Sequence, residues 1–129
     1  MKRKILVIED NEQNLYLFRF ILERSEYEVF AAMDGRSGIE KASVLKPDLI
    51  LLDIQLPVMD GYAVARSLRE NPGLADTPIV AVTSYAMPGD REKTIAAGCG
   101  GYIEKPIDPE TFVSKVERHL PGRRKEESR

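Results

Sequence analysis

The chain predicts an α/β fold in which five parallel strands form one sheet with helices on both faces. The stretch LILLD at positions 49–53 is an aliphatic run closed by the turn-forming PVMDG, the pattern of a strand buried on both faces. KILVIED near the N-terminus and PIVAVTSYA at 78–86 repeat that pattern and are rich in β-branched residues. Each strand candidate is followed by apolar residues at helical spacing, and five such alternations with right-handed crossovers build a parallel sheet.

In chain order, KILVIED is the first strand. Leu15, Phe18 and Leu22 recur on one helical face behind the capping candidates Asn11 and Asn14. YEVFAA at 27–32 is a weaker second strand, and DGRSGIEKASVL aligns Ile39, Ala42 and Leu45. After the third strand, DGYAVARSLRE aligns Val64, Ala65 and Leu68. The fourth strand precedes a weaker helical pattern, PGDREKTIAAG, with Gly98 placed as its C-cap. GGYIEKP at 100–106 is the fifth strand, apolar only at Tyr102 and Ile103. A final helix carries Phe112, Val116 and Leu120, with Pro109 suited to its first turn. The expected division is one domain over 1–120 and a polar tail, PGRRKEESR, over 121–129.

Composition narrows the function. At 129 residues the chain has the length of one domain. With 19 Lys and Arg against 21 Asp and Glu, it lacks the basic excess of a nucleic-acid binder. Cys99, the single cysteine, cannot form an internal disulfide and is expected to be a small packed side chain. The apolar run at the N-terminus is too short for a signal peptide or a membrane span, so a cytoplasmic location is expected. His119 lies beside the last apolar stripe without a partner pattern, as a surface or boundary residue.

In an open doubly wound sheet of order 2-1-3-4-5, the ligand crevice lies between strands one and three at their carboxyl ends. Those strands end at Glu9-Asp10 and at Asp53. Three carboxylates in one crevice require compensation, and all-oxygen ligation without nearby His or Cys favours a hard cation such as Mg²⁺. Strand four ends at Thr83, a hydroxyl donor, and strand five at Lys105, a point charge. Lys105 precedes Pro106, the kind of bond that adopts cis at modest cost. Together these groups suit a metal-bound phosphoryl group, with Asp53 as the nucleophile that accepts it.

VIEDN at 7–11, LLDIQLPVMDG at 51–61, AVTSYA at 81–86 and YIEKP at 102–106 resemble, in order and spacing, the receiver domain of bacterial two-component response regulators, of the stand-alone type. The resemblance covers about positions 3–120 and implies a flavodoxin-like (βα)5 fold. It implies that Asp53 is the phosphoacceptor, Asp10 a direct Mg²⁺ ligand, Glu9 an outer ligand and Gln55 a ligand through its backbone carbonyl. It further implies that Thr83 and Lys105 bind phosphoryl oxygens and that Tyr102 changes rotamer when Thr83 moves. Gln55 and Tyr85 would flank the attacking water and tune dephosphorylation. The implied partners are a histidine kinase or histidine phosphotransfer protein and a downstream protein target, with no nucleic acid and no membrane. The chain would be a monomer or a phosphorylation-dependent dimer, its output carried by the face of helix four, strand five and helix five, with no turnover of an exogenous substrate. A phosphohydrolase would need a second Asp at position 55, where Gln55 stands, and a flavodoxin-like redox carrier would need a Ser/Thr/Gly-rich loop where EDNEQN stands. A degenerate receiver that binds partners unphosphorylated is a third alternative.

Overall fold

The computed structural model of the chain describes residues 2–56, 58–84 and 89–120. Five parallel strands lie in the order β2-β1-β3-β4-β5, as the alternation predicts. They are β1 (Lys4–Ile8), β2 (Glu28–Ala32), β3 (Leu49–Asp53), β4 (Ile79–Thr83) and β5 (Gly101–Glu104), interleaved with α1 (Glu12–Arg24), α2 (Gly35–Leu45), α3 (Gly61–Glu70), α4 (Asp90–Ala96) and α5 (Pro109–Glu117). The register sets Ile8 beside Leu52, Asp53 beside Val82 and Thr83 beside Glu104. The chemistry-bearing ends of β1, β3, β4 and β5 therefore share one edge of the sheet.

Side chains of β3 alternate between two cores, which is why LILLD is buried throughout. Ile50 and Leu52 join Leu6, Ile8, Val64, Ala65 and Leu68 on the face covered by α2 and α3. Leu51 joins Val7, Val80 and residues of α1 and α5 on the other, where Phe18 and Phe112 stack with ring centroids 5.3 Å apart. Each fully buried Leu, Ile or Phe contributes roughly 1.5–3 kcal/mol by leaving water.

Four helices start on side-chain caps. Asn11, Asp34, Asp60 and Asp108 accept from the N–H groups of Asn14, Ser37, Ala63 and Glu110, each interaction contributing about 1 kcal/mol. Asn14, the other capping candidate, lies inside α1. Gly98 follows the end of α4 at φ 104°, a left-handed conformation that glycine adopts without Cβ strain. The last apolar stripe outlasts its helix: Leu120 is buried three residues beyond α5. The tail at 121–129 lies outside the described residues, and among those described no helix is long and apolar enough to cross a membrane.

Candidate functional site

The carboxylates expected to converge beyond strands one and three do so. Glu9 follows β1 and is buried, Asp10 is exposed, and Asp53 closes β3 at 4% exposure. Carboxylate oxygens of all three lie within 4.8 Å of one another. At that spacing and an effective dielectric of about 20, each pair of charges would repel by about 3 kcal/mol.

Compensation comes first from Lys105, whose Nζ stands 2.9 Å from Glu9 Oε1 and 3.5 Å from Asp53 Oδ2. Glu9 Oε1 makes no hydrogen bond of favourable angle, so its contact with Lys105 is an ion pair between point charges rather than a directed bond. Two backbone donors add support: Asn11 N–H to Glu9 Oε2 at 3.1 Å and Gln55 N–H to Asp53 Oδ1 at 2.9 Å. One ammonium against three carboxylates leaves an excess of two negative charges (3 − 1). Burial above all, with help from the Glu9 charge, raises the Asp53 carboxyl above the usual carboxylate range, against the opposing pull of Gln55 N–H and Lys105. An all-oxygen cluster short of positive charge fits a hard divalent cation such as Mg²⁺.

The remaining rim residues fall where the sequence places them. Thr83 is buried at the end of β4, and its carbonyl accepts from Lys105 N–H at 2.8 Å. The Lys105–Pro106 peptide is cis. Tyr102 on β5 is half-buried, with the Arg91 guanidinium 5.9 Å from its ring centroid. Tyr85 lies outside the described residues. Ser84 is a residue that sequence reasoning missed: its N–H and Oγ both donate to Gln55 Oε1, at 3.1 and 3.0 Å. The signal was its place beside Thr83 in TSYA, but which loop it faces depends on tertiary geometry.

Two residues keep structural roles. His119 is half-buried against Gly101, where a Cβ would stand 2.6 Å from the imidazole; burial, then Arg118, lowers its pKa. Cys99 is packed in the α2/α3 core, and burial pushes its thiol up to about 11.

A sheet of this order, with an acidic cluster and a lysine at its carboxyl edge, is the arrangement of the receiver-domain class. The response regulator receiver domain family model matches residues 5–117, and the chain belongs to that family. It is 39% identical over 120 residues to the polar-differentiation response regulator DivK of Brucella anthropi and to that of Brucella ovis, covering 93% of this chain and 98% of each relative. The chemotaxis protein CheY4 of Vibrio cholerae superposes with a TM-score of 0.89 at 30% identity, over 93% of this chain and 100% of that one. The receiver domain of the sensor histidine kinase PA1611 from Pseudomonas aeruginosa PAO1 gives a TM-score of 0.86 at 32% identity, over 93% and 98% of the two chains. That structure has a magnesium ion coordinated in the active site cleft. The chain thus carries a response regulator receiver domain of two-component signalling. Domains of this family are generally non-catalytic, interact with histidine kinases and downstream targets, and typically bind Mg²⁺.

Proposed function

We propose that Asp53 accepts a phosphoryl group from a histidine kinase or histidine phosphotransfer protein in a Mg²⁺-dependent reaction. The α4–β5–α5 face then reports the change to a downstream protein. The observation that carries this reading is the Glu9–Asp10–Asp53 cluster, with Glu9 and Asp53 buried and Lys105 against both. An Asp53 oxygen attacks phosphorus, the P–N bond of the phosphohistidine breaks, and its electron pair returns to the leaving imidazole. The burial that raises the Asp53 pKa also strips water from the attacking oxygen, while Gln55 N–H holds the other oxygen and orients the carboxylate.

Asp10, Asp53 and the Gln55 backbone carbonyl would hold Mg²⁺, with Glu9 as an outer ligand, and the bound ion would supply charge neutralisation. Lys105 offers its ammonium, and Thr83 its hydroxyl, to phosphoryl oxygens. Thr83 moving toward the new phosphoryl group frees space for Tyr102 to turn inward, which shifts the output face between two states. Gln55 and Tyr85 tune the phosphoryl lifetime. The receiver occupies residues 1–120 with 121–129 as a polar tail, acts in the cytoplasm without an exogenous substrate, and is a monomer or a phosphorylation-dependent dimer.

The test is intact mass after incubation with acetyl phosphate, with and without Mg²⁺, for the wild type and Asp53→Asn. One phosphoryl group is expected only with both Mg²⁺ and Asp53. Its absence from the wild type with acetyl phosphate and with a histidine kinase donor would overturn the reading.

A further inference from the structure

We propose that the Gln55 side chain is a latch that holds the Thr83–Ser84 segment in its unphosphorylated position, with Ser84 as the residue it grips. The inference rests on the phosphoacceptor reading of Asp53 and adds to it a regulator of the same site.

Gln55 is tied in two directions. Its backbone N–H holds Asp53 Oδ1 at 2.9 Å, while its side-chain Oε1 accepts from both Ser84 N–H and Ser84 Oγ. The loop after β3 and the segment after β4 are therefore stapled together by one side chain.

Ser84 directly follows Thr83, whose carbonyl is already held by Lys105 N–H. Thr83 is thus anchored on one side to β5 and, through Ser84, on the other side to Gln55. Bonds of 3.0 and 3.1 Å fail once the donors move by more than about half an ångström. Movement of Thr83 toward a phosphoryl group has to break or rebuild them.

The latch is also incompletely satisfied. Gln55 Oε1 has two donors, whereas its Nε2 is buried and has no acceptor among the described residues. A buried donor without an acceptor is unfavourable, so Ser84 holds the side chain in an arrangement that it would otherwise leave. Phosphorylation of Asp53 brings new acceptor oxygens into the crevice, and these compete with Gln55 Oε1 for the two Ser84 donors. Gln55 and Ser84 are therefore positioning residues that set how far the unphosphorylated chain leans toward its inactive state.

The test uses the full chain labelled with ¹⁵N, with Mg²⁺ and beryllofluoride as the phosphoryl mimic. In Gln55→Leu, the Thr83 and Ser84 amide resonances of the free protein should move part of the way toward their beryllofluoride-bound positions. Beryllofluoride should bind roughly three- to tenfold more tightly, the equivalent of about one net hydrogen bond. Ser84→Ala, which keeps its N–H, should shift in the same direction by less, and Ser84→Thr, which keeps both donors, should match the wild type. Affinity for Mg²⁺ alone should stay constant in both Ser84 variants, because Ser84 lies outside the carboxylate cluster. Unchanged or weaker beryllofluoride binding in both Gln55→Leu and Ser84→Ala would overturn the latch; if Gln55→Leu lost Mg²⁺ affinity as well, Ser84→Ala alone would decide. A wild-type chain that takes up neither Mg²⁺ nor beryllofluoride would instead overturn the phosphoacceptor reading, and the latch with it.

Discussion

Asp53 is the residue at which the proposed function opposes stability. Its carboxyl is held above the usual value of 3.8 chiefly by burial, so the folded chain retains a proton there that the unfolded chain has lost. Stability therefore falls as pH rises from 3.8 through the raised folded value, and stays lower above it. Asp53→Asn removes that loss while leaving Lys105 paired with Glu9, its closer partner. In metal-free buffer at pH 7 the variant should melt above the wild type, and the margin should shrink toward pH 4. Thermal unfolding of both chains across that range checks it, and a less stable variant at pH 7 would refute the account. Cys99 shows burial of another kind. With its thiol near 11, roughly one molecule in a thousand is thiolate at pH 8. Iodoacetamide should leave the native chain unmodified at that pH and alkylate it readily in urea; rapid native alkylation would contradict the packing. The sequence located the carboxylates and the lysine because each ends a strand of recognisable composition. It set Lys105 against Asp53 but could not show that Glu9 is nearer, nor that Ser84 reaches Gln55, since both depend on distances across the sheet edge.

Among the elements, α3 bears most directly on Asp53 because its first residue packs against the chain just after β3. Gly61 N–H donates to Ile54 O at 2.9 Å, and a Cβ on Gly61 would stand 2.4 Å from Ile54 Cα and 2.7 Å from Asp53 O. Backbone atoms cannot yield as a flexible side chain can. Gly61→Ala should therefore cost about 2–4 kcal/mol and lower Mg²⁺ affinity by moving the loop that carries Asp53 and Gln55. Urea denaturation and Mg²⁺ titration of the variant measure the two effects, and a fully stable Gly61→Ala would exclude the close approach. How legible each element was follows from how completely it is covered. The strand β3 lies between two cores and reads as an unbroken aliphatic run, and α3 carries Val64, Ala65 and Leu68 on one buried face. By contrast, the only residue that β5, at the sheet edge, buries is Ile103, and α4 beside it buries Thr94 alone. Neither could show a strong periodicity, because neither has a wide apolar surface to hide.

For the molecule as a whole, a sheet with a core on each face can tolerate a carboxylate cluster at its edge that Lys105 compensates only in part, and that tolerance would couple the proposed metal binding to folding. Unfolding separates Glu9 and Asp10, which follow β1, from Asp53, which closes β3, so a cation held by all three would bind the folded chain alone. Stabilisation then follows RT ln(1 + [L]/Kd), about 1.4 kcal/mol at ten times Kd and about 2.7 kcal/mol at a hundred times. The two chains should therefore respond in opposite order. Without metal, Asp53→Asn melts above the wild type, because the wild type bears the repulsion alone. As Mg²⁺ is added at constant ionic strength, the wild type should climb by several degrees while the variant, one carboxylate short, climbs less, so that the gap closes or reverses. Parallel melting curves at all Mg²⁺ concentrations would mean that the cluster binds no metal. The charge excess at the crevice would then be only a structural cost, with no cation to relieve it.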